Sequence, residues 1–331
     1  MLDGTALEAI SCAHEYTKVN MSQSHNGSSE FATDADIAIP YMQRTREYYA
    51  AIGYDTPYRW AHYAVAPFTP LRKPLAQSRV AIVTTASLFD AAKGDQGPGA
   101  AYNSAAKFYQ VYSASTENPP DLRISHIAYD RTHTTATDSN TWFPLPALKR
   151  LLAAGRIGSI APHFFGAPTN RSHRATIDTD APEILERCRA DQVDVAVLVP
   201  NCPVCHQTVS LVARHLEANG IPTVVMGCAK DIVEHAAVPR FLFSDFPLGN
   251  SAGKPHDIAS QDLTLELALR VLESAPAART TVQSPLRWSA DASWKRDYNN
   301  IEQMSQEELA RRRRDFDAQK TIANKVRDSA A

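Results

Sequence analysis

The 331-residue chain is poor in cysteine, and its five cysteines are Cys12, Cys188, Cys202, Cys205 and Cys228. An odd, sparse set without the regular spacing of a disulfide framework is typical of a protein from the reducing cytosol. The chain shows no basic start followed by an apolar core, and no apolar run reaches the roughly 18 residues of a membrane-spanning helix. We therefore expect a cytoplasmic protein that has no membrane partner.

An excess of charge is also missing, because 34 lysines and arginines nearly balance 36 aspartates and glutamates. Such a balance disfavours nucleic acid as a partner. The basic run Arg311 to Arg314 has acidic neighbours on both sides, which is typical of a solvated helix. Gly94, Gly97 and Gly99 lack the order of a dinucleotide-binding or phosphate-binding loop, so the sequence predicts no nucleotide site.

What the chain does contain is a regular alternation of apolar strands and amphipathic helices. This pattern predicts right-handed βαβ units and an α/β fold with a mostly parallel, doubly wound sheet of flavodoxin-like or Rossmann-like type. The predicted strands cover residues 79–85, 122–129, 157–165, 193–199, 222–226 and 241–243. The predicted helices cover residues 41–52, 144–154, 181–190, 261–273 and 305–323, and a further helix follows Cys205.

Composition divides the chain into four segments. Residues 1–36 are polar and serine-rich and are interpreted as a mobile N-terminal arm, and residues 37–78 form an aromatic-rich N-terminal extension. Residues 79–283 carry the α/β pattern, and residues 284–331 form a polar, helical C-terminal tail. The tail cannot form a core alone, so we expect it to pack on the body or on a partner subunit.

The most informative motif is Cys202-Pro203-Val204-Cys205, which lies between the buried strand 193–199 and a helix that ends at Gly220. The carboxyl edge of a parallel sheet is where α/β proteins bind their ligands. The N–H groups and dipole of a helix N-terminus stabilise a thiolate, so Cys202 is predicted to have a lowered pKa if it caps the helix. Pro203 then occupies the first helical position, which needs no N–H donor.

Three interpretations of the motif remain open from the sequence. The two cysteines form a redox or nucleophilic pair, or they hold half of a zinc or copper site, or they pack as small apolar residues. A firm prediction of zinc requires a second Cys-x-x-Cys motif, which is absent. In the metal interpretation, the further ligands come from His126, His133, His206 and Cys228.

Three other groups of residues are predicted to approach the cysteines. His206, in the first helical turn, is a candidate acid, base or metal ligand. Three polar residues follow the strand 122–129, namely Asp130, Arg131 and His133. They are predicted to bind substrate, with Arg131 holding a carboxylate. The alternative is a turn whose charges are solvated. Cys228 follows the strand 222–226 and is either a third thiol of the site or a buried small residue.

The order of these segments resembles the glycine/sarcosine/betaine/D-proline reductase selenoprotein B family over roughly residues 40–275. The residues that carry the resemblance are Arg79–Thr85, Tyr129–Arg131, Phe143–Leu148, Ala154–Gly158, Cys202–Cys205 and Gly220–Val225. In that family a selenocysteine-x-x-cysteine motif cleaves a carbon–nitrogen bond reductively, with electrons from a dithiol partner such as thioredoxin and a pyruvoyl group on related subunits. The resemblance implies that Cys202 stands at the selenocysteine position and Cys205 at the position of the second cysteine.

We therefore expect a thiol-dependent oxidoreductase that reductively cleaves a small carboxylated or amine-bearing substrate. Cys202 is the predicted nucleophile, Cys205 resolves the adduct, and a thioredoxin-like dithiol supplies the electrons. The first alternative is a zinc or copper protein that uses Cys202 and Cys205 as ligands. The second alternative is a non-catalytic subunit of a larger complex, or a homo-oligomer, with the tail as its interface.

Overall fold

The computed structural model describes residues 37–330, apart from residues 55, 57, 96–101 and 170–171. The predicted mobile arm, residues 1–36, and Cys12 within it lie outside the described residues. Residues 38–331 form one compact unit.

The strands confirm the predicted α/β class. They are β1 (Arg79–Thr84), β2 (Ser87–Leu88), β3 (Tyr112–Ser115), β4 (Leu122–Arg123), β5 (Ser159–Ile160), β6 (His163–Gly166), β7 (Val195–Val199), β8 (Thr223–Gly227), β9 (Arg240–Phe243) and β10 (Thr280–Gln283). Eight of these described strands share one sheet in the order β10-β9-β8-β7-β1-β6-β3, and β5 also pairs with β1. All pairings in this sheet are parallel except β3 with β6. The short strands β2 and β4 form a separate antiparallel pair.

The helices connect and flank these strands. They are α1 (Tyr41–Ala51), α2 (Leu145–Ala153), α3 (His173–Ala175), α4 (Ala181–Ala190), α5 (Pro203–Ala218), α6 (Lys230–Ala236), α7 (Ile258–Ser274) and α8 (Gln306–Ala330). A π-helical turn, Thr176–Asp180, joins α3 to α4. Among the described residues, no helix combines the length and apolar character needed to cross a bilayer.

The central strands are apolar on both faces because helices cover both sides of the sheet. Val80, Val197 and Val224 belong to the core cluster that also contains buried residues of α2 and α7. Their neighbours Ala81, Leu198 and Val225 point the other way, into the cluster that contains buried residues of α4 and α5. The continuous apolar runs seen in the sequence therefore reflect a doubly wound sheet.

Two predicted strands differ from the observed ones. The prediction of a strand over residues 122–129 is wrong, because only β4 is extended and the chain then enters a loop. This loop is held by side chains: Tyr298 Oη donates to the Ala128 carbonyl at 2.8 Å, and Arg131 donates to two carbonyls. The predicted strand 157–165 is interrupted at Pro162, whose missing N–H divides it into β5 and β6.

The aromatic extension packs on the sheet domain, and helix α8 of the tail packs on the extension and on Ser104 of the central segment. The extension runs along α5, where the Ala61 N–H donates to Gln207 Oε1 at 2.7 Å and Gln207 Nε2 donates to the Tyr58 hydroxyl at 2.6 Å. Phe316 of α8 packs edge-on against Tyr49 and Tyr54 of the extension. The expectation that the tail packs on the body is confirmed for this helix.

Candidate functional site

The site lies where the chain reverses its direction of travel across the sheet. After β1 the chain forms β3 and then β6 on one side of β1, and the connection from β6 returns to β7 on the other side of β1. The residues after these three adjacent strands are Thr85, Thr169 and Cys202. Ligands of open α/β sheets bind at such a switch point because the two connections leave a crevice between them.

Cys202 and Cys205 begin helix α5 in the way that the sequence predicts. Cys202 is the N-cap with an extended backbone, and its Sγ accepts a hydrogen bond from the Cys205 N–H at 3.3 Å. Pro203 occupies the first helical position, and Gly220 follows the C-cap with a φ of 86°. The Cys202 sulfur therefore accepts an N–H group of a helix N-terminus, which stabilises negative charge.

His126 completes a compact group with the two cysteines. One ring nitrogen of His126 and the two Sγ atoms all lie within 4.8 Å of one another, and all three residues are buried. His126 Nε2 lies 2.7 Å from the Thr85 carbonyl, which only accepts, so Nε2 carries a proton. The loop after β4 thus delivers an imidazole to the cysteine pair although it is not part of the main sheet.

The surroundings of the pair favour one thiolate. Burial raises the pKa of Cys205, but the hydrogen bond from Cys202, the adjacent His126 and the Thr85 hydroxyl outweigh burial and lower that pKa well below its usual value. The Thr169 hydroxyl lies 3.5 Å from Cys205 Sγ as well. The sequence predicts that the lowered pKa belongs to Cys202. In the structure the more strongly stabilised thiolate is that of Cys205, and the Cys202 thiol donates a hydrogen bond to it.

His206 is fully buried, and both of its ring nitrogens bond to the backbone. Nε2 accepts the N–H groups of Cys228 at 2.9 Å and Ala229 at 3.2 Å, so Nδ1 carries the proton and donates to the Cys202 carbonyl at 2.8 Å. A Cβ at residue 227 would lie 2.8 Å from this ring, which explains the glycine there. His206 is committed to holding the turn that carries Cys202, and this geometry argues against the predicted roles as acid, base or metal ligand.

The fold requires His206 to be neutral, which makes stability depend on pH. Burial lowers the pKa of His206 to about 4 from an ordinary value of 6.5. Between these values the unfolded chain binds a proton that the folded chain excludes, so stability is complete above pH 6.5 and decreases as the pH falls. We expect the titration of His206 to lower the free energy of unfolding by on the order of 3 kcal/mol, because one pKa unit corresponds to about 1.4 kcal/mol.

Urea unfolding of the wild type and of His206→Gln at several values between pH 4.5 and pH 7.5 measures this contribution. The variant cannot titrate at this position, so its free energy of unfolding should change less with pH than that of the wild type. Equal slopes for the two proteins would contradict the assignment.

Asp130 and His133 bind each other. His133 Nδ1 lies 2.9 Å from Asp130 Oδ2, and Nε2 lies 3.3 Å from Asp297. The hydrogen bond to Asp130 raises the pKa of His133, which favours the charged imidazole. Asp130 also accepts the N–H groups of Thr132 and His133. These contacts stabilise the loop; whether the two residues also bind substrate stays a prediction.

Arg131 is half-buried and supports His126. Its Nη1 donates to the carbonyls of His126 at 2.9 Å and Ile127 at 3.3 Å. Burial lowers the pKa of Arg131, and the nearby Tyr129 is the first of the groups that oppose this shift. Arg131 therefore positions the loop beside the thiols, and its predicted grip on a substrate carboxylate stays a prediction.

Cys228 lies outside the group formed by His126, Cys202 and Cys205. It belongs to a separate apolar cluster with Ile39, Tyr41 and Phe246, and burial raises its pKa to about 12. Its Sγ is 3.7 Å from the Ser251 hydroxyl. These surroundings favour a neutral thiol, in line with the buried small residue that the sequence left as the alternative.

Two adjacent spaces lie near the cysteine pair, and Cys202 lines the inner one. The inner chamber has a volume of about 80 Å³ and is lined by Ser125, His126, Thr169 and Cys202 together with aromatic and basic residues. The outer cavity has a volume of about 680 Å³ and lies between the extension and α8. Tyr49, Tyr102, Lys107 and Ile127 line both spaces, so they form a shared wall.

Several of these residues are absent from the sequence prediction. Thr85 and Thr169 carry a usable signal, because each is a polar residue directly or shortly after a strand of the sheet. Lys107 and the α8 residues carry no comparable signal, since an irregular segment and a charged surface helix bring them to the cavity.

Comparison with known proteins gives consistent results. The family model of glycine/sarcosine/betaine reductase selenoprotein B matches residues 50–201. The D-proline reductase subunit gamma of Acetoanaerobium sticklandii is 27% identical over 224 residues, which cover 67% of this chain and 90% of that protein. Over these segments the chain is similar to the selenoprotein B reductase family.

Other selenoprotein B relatives are matched over less of their length. The glycine reductase complex component B subunits gamma of Symbiobacterium thermophilum and Carboxydothermus hydrogenoformans are 24% and 23% identical. The matches cover 67% and 65% of this chain but only 51% and 48% of those proteins, so the chain spans about half of their length. No solved structure matches the chain.

The family match bears on the cysteine motif only indirectly. It ends at residue 201, one residue before Cys202. Strands β1 to β7 and the His126 loop lie within the matched segment, whereas the Cys-x-x-Cys motif and strands β8 to β10 follow it. The equivalence of Cys202 with the selenocysteine of the family therefore stays a prediction.

Proposed function

We propose that this selenoprotein B relative is a thiol-dependent reductase that cleaves a carbon–nitrogen bond of a carboxylated substrate. The observation that carries the proposal is the buried Cys202–Cys205 pair, which has His126 beside it and an inner chamber that reaches Cys202. The reductase names of the relatives support the reaction class. Since those relatives are named as subunits, we also propose that this chain works with partner subunits in the cytoplasm.

Cys202 is the nucleophile in this proposal. It lines the inner chamber, whereas Cys205 lies behind it and has no exposed surface. In the resting pair the Cys202 thiol donates a hydrogen bond to the Cys205 thiolate. When the shared proton moves to Cys205, a Cys202 thiolate is left beside the Cys205 N–H. Cys205 thus serves as the base for Cys202 as well as the resolving residue.

Two successive thiolate attacks cleave the substrate. The Cys202 thiolate attacks the carbon that carries the amine, the carbon–nitrogen bond breaks, and the nitrogen leaves with the electron pair. The nitrogen takes the proton that Cys205 received from Cys202, which restores the Cys205 thiolate. The Cys205 thiolate then attacks the Cys202 sulfur, the carbon–sulfur bond breaks, and the carbon keeps that pair and takes a proton from solvent. The substrate is reduced by two electrons, and the two thiols become a disulfide.

An external dithiol protein of the thioredoxin type closes the cycle. It reduces the Cys202–Cys205 disulfide by thiol–disulfide exchange and is itself oxidised to a disulfide. The reaction therefore needs no redox cofactor on this chain.

A stoichiometric oxidation experiment tests the redox pair. Reduced protein is treated with limiting diamide, and the disulfides are mapped by peptide mass spectrometry before and after addition of thioredoxin. We expect one reversible disulfide between Cys202 and Cys205, with Cys188 and Cys228 as internal controls that stay reduced, because burial raises the pKa of each to about 12. Absence of this disulfide, or equal oxidation of the controls, would contradict the proposal.

A second candidate function is supported by the same three residues. The His126 nitrogen and the Cys202 and Cys205 sulfurs are close enough to bind one ion, and this set of donors suits Zn²⁺ or copper. The bond from His126 Nε2 to the Thr85 carbonyl fixes the ring and its tautomer, as is common for metal-ligating histidines. Among the described residues, the group has three ligands, which leaves a coordination position for water or substrate.

Metal analysis of protein purified without chelators separates the two candidates. The reductase proposal predicts well under one equivalent of zinc or copper, because the thiols must be free to react. Near-stoichiometric metal in the wild type, lost in both Cys202→Ser and His126→Phe, would favour the metal site and contradict the reductase.

A further inference from the structure

The outer cavity is too large for the smallest amino acids alone. Its volume of about 680 Å³ falls within the range of roughly 300–1,000 Å³ that is typical of pockets for drug-sized ligands. The inner chamber beside Cys202 measures about 80 Å³ and holds only a few heavy atoms. A ligand that fills both spaces therefore has a small reacting end and a large body.

The walls of the outer cavity favour an aromatic body. The described lining residues include six aromatic side chains, namely Tyr49, Tyr54, Tyr58, Tyr102, Tyr109 and Phe316. Aromatic rings prefer edge-on or offset contacts with other rings, which contribute beyond the burial of area. Phe316 already makes such contacts with Tyr49 and Tyr54, so the wall is held in place.

The charges of the cavity favour an anion. Lys107, Lys320 and Arg327 line it, and none of its described lining residues is acidic. Lys107 lies over the Tyr109 ring at 5.2 Å, and Lys320 lies over the Tyr54 ring at 4.9 Å. Lys107 also lines the inner chamber together with Cys202, so a carboxylate bound at Lys107 would lie beside the chamber that contains the thiol.

The inner chamber adds an observation that is independent of the cavity walls. Ser125 lines it and is buried, and its hydroxyl has no hydrogen-bond partner among the described residues. An unpaired buried hydroxyl is costly unless a ligand or water satisfies it. The ammonium group of a substrate next to Cys202 can donate a hydrogen bond to the oxygen of this hydroxyl.

We propose that the substrate is an α-amino acid with a large aromatic side chain. The side chain fills the outer cavity, the carboxylate binds at Lys107, and the carbon–nitrogen bond lies in the inner chamber beside Cys202. This inference rests on the proposed reductase function. The balanced reaction on phenylalanine releases ammonia and 3-phenylpropionate while Cys202 and Cys205 become a disulfide.

Isothermal titration calorimetry with 3-phenylpropionate as the probe tests the cavity separately from the chemistry. The full-length Cys202→Ser variant is used, since it cannot carry out the proposed reaction. We expect 3-phenylpropionate to bind at least about tenfold more tightly than 3-phenylpropionamide, which lacks the charge, and than propionate, which lacks the ring.

Two further variants, made in the same background, locate the binding. Ala323 lines the cavity on α8, so Ala323→Trp is expected to weaken binding of 3-phenylpropionate at least about tenfold by filling the space. Ala318→Trp on the exposed face of the same helix is the matched control and should leave binding unchanged. Lys107→Gln should weaken binding of the acid but not of the amide, which separates loss of charge from loss of folding.

The outcomes distinguish this inference from the proposed function. Equal affinity for the acid, the amide and propionate, or unchanged binding in Ala323→Trp, would overturn the aromatic substrate even if Cys202 is reactive in the wild type. Binding of 3-phenylpropionate with the expected pattern supports the cavity assignment even if the wild-type cysteines form no disulfide. Absence of the disulfide would overturn only the reductase proposal.

Discussion

Replacing Cys202 by alanine is expected to lower turnover roughly 1,000-fold or more, because the variant has no nucleophile at the inner chamber. Replacing Cys205 by alanine is expected to stop turnover at a different step. Cys202 can still form the carbon–sulfur bond in this variant, but no other cysteine among the described residues joins it at the site to attack its sulfur. The substrate carbon should then remain attached to Cys202.

Amine release with excess dithiol reductant measures the first effect, and intact-protein mass spectrometry measures the second. The matched control is Cys188→Ala, because Cys188 is a buried cysteine of α4 in a core cluster away from the site. This control should keep turnover near the wild-type rate. Turnover that persists in Cys202→Ala would remove the proposed mechanism, and an adduct in Cys202→Ala but not in Cys205→Ala would exchange the roles of the two cysteines.

Replacing Arg240 by methionine is expected to lower the free energy of unfolding by about 3–5 kcal/mol, because it leaves the buried Glu217 carboxylate without its counter-charge. The two side chains are 1% and 0% exposed, and Arg240 Nη1 lies 2.7 Å from Glu217 Oε1. Burial raises the pKa of Glu217 and lowers that of Arg240, so each charge is costly without the other.

This ion pair joins the extension to the sheet. Glu217 Oε2 accepts the Thr69 N–H at 2.6 Å, and Arg240 Nη2 donates to the Thr69 carbonyl at 2.9 Å. The guanidinium also lies 4.1 Å from the centre of the Phe68 ring. Loss of Arg240 should therefore loosen the segment that leads to the outer cavity as well as destabilise the fold.

Urea unfolding at pH 7 measures the effect of Arg240→Met. The exposed pair Arg174–Asp178 is the control, since its side chains are 91% and 57% exposed and Arg174→Met should cost less than about 1 kcal/mol. The double variant Glu217→Leu with Arg240→Met should recover most of the loss, because no unpaired charge remains. A loss in Arg240→Met as small as that of the control would show that the pair is not buried in solution.

The sequence predicts those parts of the fold that local patterns encode. The apolar run 193–199 and the following cysteines specify a strand and a capped helix, and both form as expected with Cys202 as the N-cap. Helix α4 also has its predicted ends, at Ala181 and Ala190. These features depend on neighbouring residues, so they can be derived without tertiary information.

The rest of the site depends on contacts between distant segments. The segment 124–129 is apolar enough to suggest a strand, but Tyr298 and Arg131 bind its carbonyls and hold it as a loop that places His126 beside the thiols. The commitment of both His206 nitrogens to backbone groups after β7 and β8 is likewise invisible in the sequence. The outer cavity needs α8 beside the extension, and no local pattern encodes that packing.

The pH dependence of Cys202 alkylation tests the central claim, a reactive thiolate shared between Cys202 and Cys205, most directly. Reduced, metal-free protein is treated with iodoacetamide, and the rate of modification of Cys202 is followed by peptide mass spectrometry in the wild type and in Cys205→Ser. We predict that Cys202 of the wild type reaches its half-maximal rate well below pH 8, and that Cys205→Ser shifts this midpoint upward. A wild-type midpoint at or above that of an ordinary thiol, about 8.5, with no shift in the variant would contradict the account.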